Sequence, residues 1–506
     1  MRKINFRIIF FCAISFILAL AFARHIFNLS VPYIIFLSLI ISALLFVCIK
    51  YKYFKRFILL FCVFVFGIGY YFLGFYTFSG IDYSQSVLIE ARVESITNYT
   101  NFSTCILDDV KINGNNKPFK ITATLNNDEI KQSNIIVFEN KITKVQLFDD
   151  DGFNSFYYKN DTPYKTTINN VIAIKNGYKK LNEKIHDAFN NFVETHFDSD
   201  IGGVIKSVII GDKSTLNKDI KNSFSSSGIA HLLAISGLHI SIIILCINFI
   251  LKKFRLKEKY NFIILLILLA FYCYICNFSP SVVRASLMSL IFIFSNVVGR
   301  KYDKLTSLSL CAILILLFKP LYIFDAGFLL SFGCVYCIFV ISPSICKLLE
   351  KTKINKKICQ NLSIVFSVQL GLIPLTSLFY SSTNLLSLLC NIICVPLFEF
   401  AFVLTFAISF ICVILPFMSF LTKVIEFLYW LIINISVLFS NATFAFLTLP
   451  KTNSIFVIGF YYSCFYISNF VNEKHLDKLT VCSSLLVISY VCSLFVWLYV
   501  NFCCLK

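Results

Sequence analysis

A chain of 506 residues that is 58% hydrophobic and only 14% charged, with 57 phenylalanines, lies outside the composition of soluble globular domains, which run about 45–50% apolar and about 25% charged. Disordered chains and short disulfide-stapled secreted folds need less hydrophobicity or far fewer residues, so both are excluded and the class is a polytopic membrane protein. The formal net charge of +18 suggests a polyanionic partner until its distribution is read.

That charge is segregated along the chain. Residues 80–228, the one long stretch without a sustained apolar run, hold 17 Lys+Arg against 19 Asp+Glu, a net of −2. The remainder carries +20, concentrated in short clusters at Arg2/Lys3/Arg7, 50–56, 252–259, 300–304, 347–357 and Lys474/Lys478. Short loops rich in Lys and Arg stay cytoplasmic, so most of the basic excess encodes topology.

From the N-terminus, apolar runs near 8–23, 31–49 and 57–78 lead from a cytoplasmic start to an exported region at 80–228. Residues 1–23 have the basic start, apolar stretch and Ala21-Phe22-Ala23 triplet of a cleavable signal peptide; we read them as an uncleaved first helix, and the basic loop at 50–56 sets the same orientation either way. Further runs follow near 229–251, 261–277, 281–298, 305–323, 326–346, 362–380, 385–415, 424–447, 454–470 and 480–501. At about 20 residues per crossing these make about thirteen spans, and every strongly basic short loop then faces the cytoplasm. The 385–415 run is long enough to hide a re-entrant pair.

Between Ser86 and Lys175 the pattern changes to short alternating stretches: Val87, Ile89, Ala91 and Val93, then 106–112, a hairpin signal at Asn113-Gly114-Asn115-Asn116, and Ile121, Ala123 and Leu125. Further strands are expected at 135–139, 141–147 and 166–174, and about six short strands in this length suggest a small barrel of the OB type. Tyr99, Phe102, Phe119, Phe138 and Tyr157 are its candidate stacking aromatics, although rings at strand spacing more often fill a core, and a net charge near zero argues against tight nucleic-acid binding by this domain alone. In 178–228, Leu181, Ile185, Ala188, Phe189 and Phe192, then Ile201, Val204, Ile205 and Val208, recur at helical spacing and read as amphipathic helices on the membrane surface or capping the bundle. The expected fold is therefore a polytopic α-helical membrane protein with one exported OB-like β domain. Its divisions are 1–79 (transmembrane helices), 80–177 (barrel), 178–228 (amphipathic helices and linker) and 229–506 (main transmembrane domain).

Nineteen of the 20 cysteines lie in or beside apolar segments, and the exported region holds only Cys105, so no disulfide forms within it. Cys273/Cys276 and Cys334/Cys337 have C-x-x-C spacing, but no His or carboxylate recurs beside them; they read as small apolar fillers, and no metal site is expected. Polar residues entering the apolar helices are costly unless they face protein or water. His231, Ser236 and His239 at the head of one span, Arg284 near the outer end of another, and Asp325 at an outer helix end are the candidate lining of a polar path. Arg284 either contacts an anion or pairs with Asp325, and the histidines either line the path or bond helix to helix. Asn277, Ser279, Ser281, Gln369, Asn391 and Glu399 line such a path or pack helices through hydrogen bonds.

Four segments carry a resemblance: GDKSTLNKDIKNSFSSSGIAHLLAISGLHI at 211–240, NFSPSVVRASLMSL at 277–290, FDAGFLLSFGC at 324–334 and GLIPLTSLFYSSTNLLSLLCNIICVPL at 371–397. In this order the chain resembles the ComEC-type competence proteins, which carry incoming DNA across the bacterial inner membrane, and DDDGFNSFYYKN at 149–160 is similar to the close of that family's OB-like domain. The resemblance implies that 229–506 is a competence-type channel domain, and that the chain is an inner-membrane channel for single-stranded DNA during natural transformation. It implies no enzyme activity and no cofactor, with an N-terminus in the cytoplasm and 80–228 exported. Its implied partners are single-stranded DNA, membrane lipid, a separate nuclease, a periplasmic DNA-binding protein, a cytoplasmic helicase or single-strand-binding protein, and further copies of the chain. Two departures stand out. Many family members continue into a metallo-β-lactamase-like domain, which this sequence lacks, and the Gly-Asp before the last barrel strands is replaced by Gln132-Ser133-Asn134.

Three other readings compete. An intramembrane hydrolase would use Ser236 and His239, yet three residues on one helix is poor geometry for nucleophile and base. A small-molecule or lipid transporter predicts internal repeats, and the sequence shows none. A degenerate family member, folded but not importing DNA, fits the Ile-, Lys-, Asn- and Phe-rich composition.

Overall fold

The computed structural model describes residues 8–26, 54–78, 83–98, 103–125, 130–149, 152–168, 171–235, 237–255, 257–299, 301–351, 355–379, 382–384, 386–414, 416–442, 446–448 and 454–468. The runs expected near 31–49 and 480–501, Ser236, Tyr99, Phe102 and Lys474/Lys478 lie outside them. The chain is mostly helical and divides into two compact units: Phe11–Asp187 with Ile313–Asp325, and Ala188–Ala312 with Ala326–Lys506 and Met1–Phe10.

In the first unit, α1 (Ile8–Ile26) and α2 (Phe54–Phe78) pack closely at Gly67, where a Cβ would come 2.7 Å from that of Ala19. The chain then enters β1 (Tyr83–Asn98), β2 (Ser103–Ile112), β3 (Asn115–Asn116), β4 (Ile121–Leu125), β5 (Ile135–Lys144), β6 (Phe148–Asp149), β7 (Gly152–Phe153), the one-turn helix α3 (Ser155–Lys159), β8 (Tyr164–Ile168) and β9 (Val171–Lys175). Strands β1-β2-β4-β8-β5 close on themselves because β5 also pairs with β1, giving a five-stranded barrel in which β4 and β8 run parallel. Alternation marks its interior: Ile89, Ala91, Val93, Leu107, Ile121, Ala123 and Ile136 are buried, and the buried Arg92, Asp108 and Thr122 alternate with them. Phe138 joins them, and Phe119 packs on Tyr164 at 4.5 Å between ring centroids.

Two details differ from the sequence pattern. The strands expected at 135–139 and 141–147 are one strand, β5, since the Asn140 side chain donates to the Thr167 carbonyl and accepts from Lys141 N at 2.7 Å, so the polar residue continues the ladder instead of breaking it. The strand expected at 166–174 is two, β8 and β9, of which β9 returns along the first half of β5. At Gln132-Ser133-Asn134, Ser133 takes the left-handed φ of +70° that glycine would adopt freely. Its buried hydroxyl reaches Glu183 Oε2 at 3.2 Å, a hydrogen bond that offsets the strain.

The second unit starts within α4 (Leu181–His196) and continues through α5 (Ser199–Ile209), α6 (Lys218–Ser226), a 3-10 turn (Ala230–Leu233), α7 (Gly237–Lys253), α8 (Glu258–Ile275), α9 (Pro280–Val297) and α10 (Lys304–Phe318). After a 3-10 segment of the first unit (Pro320–Phe324) the second unit resumes with α11 (Ala326–Val340), α12 (Ser342–Leu349), α13 (Lys356–Phe379), β10 (Ser382–Asn384), α14 (Ser387–Ile414), α15 (Thr422–Ser440), β11 (Phe446–Thr448) and α16 (Ser454–Ile467). Among the described residues five helical stretches are long and apolar enough to cross a membrane: Glu258–Ile275, Pro280–Val297, Lys356–Phe379, Ser387–Ser409 and Ser419–Ser440. The pair α11 and α12, bent by 43° at its junction, makes a sixth if it crosses as one. The long 385–415 run is a single helix of 28 residues, α14, with Pro396 inside it. Helix α5 is not a half-buried surface helix: all of Ile201–Ile209 is buried, because Gly203 leaves room for the backbone of Thr215 and Leu216 to approach.

Candidate functional site

One face of the barrel forms a groove of 770 Å³ across β2, β4, β8 and β5. Its floor is built by register. Thr104, Thr124 and Thr167 lie opposite one another on three adjacent strands, and Thr122, Lys165 and Thr143 form the next row. Lys141 adds a second cation, and Phe156 and Tyr157 of α3 form one edge, their rings 5.5 Å apart and nearly perpendicular. Phe156 is exposed, and partial burial pushes the Tyr157 hydroxyl above its usual range, so both rings are neutral platforms. Among the described residues that line the groove there is no carboxylate. A row of hydroxyls with two cations and two aromatic faces suits a chain of phosphates carrying flat rings, the chemistry of a single-stranded nucleic acid.

Beyond the groove, α3 is clasped to the segment that joins α10 to α11. Lys159 Nζ lies 2.8 Å from the buried Asp325 carboxylate, and Lys319 pairs with Asp161 in the opposite sense. Tyr158 sits between the two pairs; its hydroxyl accepts from Leu321 N at 3.3 Å, and Lys319 Nζ lies 5.3 Å over its ring. Phe324 packs edge-on against Phe148 at 5.3 Å. Asp325 thus belongs to this clasp and not to a pair with Arg284 inside the bundle.

In the helical unit the first and last resemblance segments meet. Gly228, with φ of +81°, lets the turn after α6 press on Ser387, and a Cβ there would overlap the Ser387 side chain. Gln369 Nε2 donates to Ser387 Oγ at 2.5 Å, and Asn391 Nδ2 to the Ser387 carbonyl at 2.8 Å. The buried Asn384 donates to the carbonyls of Ser226 (3.1 Å) and Phe439 (3.2 Å), tying β10 to α6 and α15. His239, 1% exposed, stacks on Phe402 at 4.3 Å, whereas His231 is exposed on its 3-10 turn. Arg284, 7% exposed, donates to the Ser331 carbonyl and lies over Phe332 at 5.8 Å. Its Nε has no acceptor among the described residues. Asn277 is exposed in the turn between α8 and α9, Ser279 is half-buried at the head of α9, and Glu399 is half-buried on α14. Among the described residues no three metal-ligating side chains converge, and Cys273 faces Ser286 at 3.5 Å.

The sequence pattern named Gln369 and Asn391 as path-lining or helix-packing residues; Gln369 bonds across helices to Ser387 and Asn391 bonds within α14. Sequence reasoning missed Asn384, Ser387 and Gly228, although all three stand in the resemblance segments. It also missed Thr104, Thr122, Thr124, Thr143, Lys141 and Lys165. Threonines spread over four strands have no local signature; only strand register aligns them.

Residues 208–473, more than half of the chain, match the family described as Competence protein. The chain is 27% identical over 252 residues to ComE operon protein 3 of Bacillus subtilis, covering 49% of this chain and 31% of that protein. It is 26% identical over 215 residues to Recombination protein 2 of Haemophilus influenzae, covering 40% of this chain and 27% of that protein. The matched part thus spans about a third of the length of these curated relatives. No solved structure matches the chain.

Proposed function

The chain belongs to the competence protein family, and from that premise we propose that it is an inner-membrane channel through which single-stranded DNA enters the cell during natural transformation. The observation that carries this reading is the groove: on a region of net charge −2, four strands and α3 present two lysines, two aromatic rings and rows of threonines, with no carboxylate among the described lining residues. A single strand needs local cations and ring faces more than a basic domain, and the groove supplies both. The bundle supports the same reading, because the buried Arg284 places a cation inside an apolar unit, where a polar path for phosphates requires one. The long helices, the bent pair, the shorter apolar helices, α16 and the runs at 31–49 and 480–501 are the spans of this channel, about thirteen in all, with the barrel exported and the N-terminus cytoplasmic. The channel moves its substrate without bond chemistry of its own, and strand removal and pulling belong to partner proteins.

Uptake of fluorescent DNA into the cytoplasm tests this, comparing cells with the gene deleted, the wild type, and a Lys141→Glu/Lys165→Glu variant of equal membrane abundance. The deletion and the variant are expected to stop internalisation while DNA still reaches the cell surface. Normal internalisation in the deletion would refute the reading.

A further inference from the structure

Helix α3 has one turn, too short to hold itself in place, so its position is set by what it contacts. Its residues divide by role. Phe156 and Tyr157 edge the groove, while Tyr158 and Lys159 are held by Leu321 and Asp325. The two ion pairs run in opposite directions, Lys159 to Asp325 and Lys319 to Asp161, so each element contributes one charge of each sign and the register between them is unique. Asp325 is 2% exposed and Tyr158 4%, which makes the contact a packed joint and not a surface encounter. Helix α2 reinforces it: Tyr70 donates to the Leu317 carbonyl, and Gly74 gives way to Pro320. The barrel is thereby joined to the segment between α10 and α11, and the Asp161–Lys319 pair bridges 158 residues of sequence.

Resting on the import reading above, we propose that this clasp is a positioning device: it fixes the aromatic edge of the groove against the α10–α11 connection, so that a captured strand is handed to the channel from one place. Holding the aromatic edge of the groove against a second segment of the chain raises the effective concentration at which a captured strand is presented there. Capture in the groove is independent of the clasp; import depends on it.

The test uses the full-length chain with Lys159→Glu, Asp325→Lys and the double reversal, each checked for membrane abundance. Capture is read as fluorescence anisotropy of a labelled oligothymidylate on detergent-purified protein, and import as cytoplasmic label in cells. Each single reversal is expected to bind within about twofold of wild type yet lose import about tenfold or more, and the double to regain import to within about threefold, since a reversed pair restores the contact. Where a single reversal fails to accumulate, Lys319→Asp and Asp161→Lys carry the same comparison. Normal import by the single variants would overturn the clasp and leave the channel reading standing. A double variant as defective as the singles would also overturn it, and would mark Asp325 as a carboxylate of the path itself. If wild-type cells import no more than the deletion, the channel reading falls, and the clasp with it.

Discussion

Arg92 on β1 and Glu183 in the first turn of α4 meet at 2.8 Å, with 1% and 5% of their side chains exposed, although 91 residues separate them. Asp108 completes the site at 2.5 Å from the same guanidinium, and Lys180 reaches Asp108 at 2.6 Å. The barrel is thus joined to the helix that follows it by buried charge, and these carboxylates hold the Arg92 proton more tightly than usual in spite of its burial.

Removing one member strands the others. Arg92→Ala leaves the buried Glu183 without its cation and Asp108 with Lys180 alone, and is expected to destabilise the barrel by about 3–5 kcal/mol. Replacing the half-exposed Asp109 by Asn is expected to cost about 1 kcal/mol or less. Urea titration of each purified variant, followed by protection of the barrel from protease, measures the difference; equal costs would show that burial of the pair is not what matters.

The same cluster sets a pH dependence. The hydrogen bond from the Tyr178 hydroxyl, together with Lys180 and Arg92, holds the Asp109 carboxyl below its ordinary value against the opposing effect of partial burial. A depressed acid contributes stability that is present above its unfolded value, near pH 4, and is lost as pH falls through its lower folded value. Wild type is therefore expected to exceed Tyr178→Phe in stability at pH 6, with the gap closing between pH 4 and pH 2; a gap that widened on acidification would contradict the assignment.

Burial pushes the Cys105 thiol up to about 12, inside a barrel where it is 1% exposed. It is expected to resist maleimide at pH 8 in the folded chain and to react when the barrel unfolds, since thiolate and access are both required. Mass spectrometry of the Cys105 peptide across a urea series reads this directly. Labelling in the absence of urea would mean an open barrel.

Asn384 satisfies two carbonyls from different helices, so Asn384→Leu is expected to cost about 2–4 kcal/mol and to lower the melting temperature of the detergent-solubilised chain. Gly228→Ala should be at least as damaging, because it combines a left-handed φ with a clash against Ser387.

In the groove, Lys165→Ala is expected to weaken oligothymidylate binding and to lower the slope of log affinity against log salt by about 0.7, the counterion share of one phosphate on a single strand. Phe156→Ala should weaken binding with an unchanged slope, because stacking releases no ions. An unchanged slope for Lys165→Ala would remove that lysine from the site.

What the sequence by itself determined is what depends on near neighbours. Apolar runs marked the membrane class, alternation from Val87 to Leu125 marked a small barrel, and four ordered segments marked the family. Asp325 shows the limit: at an outer helix end it read as part of a path or a partner for Arg284, and its actual partner, Lys159, lies in a different element of the barrel unit. Ser133 read as a departure from the resemblance; it adopts a left-handed φ that glycine favours, and Glu183, fifty residues later, receives its hydroxyl. Helix α5 read as amphipathic, and two adjacent glycines allowed the chain to enclose it on every side. The groove, the clasp and the Asn384 tie were decided only by tertiary structure, because each is made of side chains that strand register and helix packing bring together from distant parts of the chain, and pairings over that distance leave no periodicity for a sequence to display.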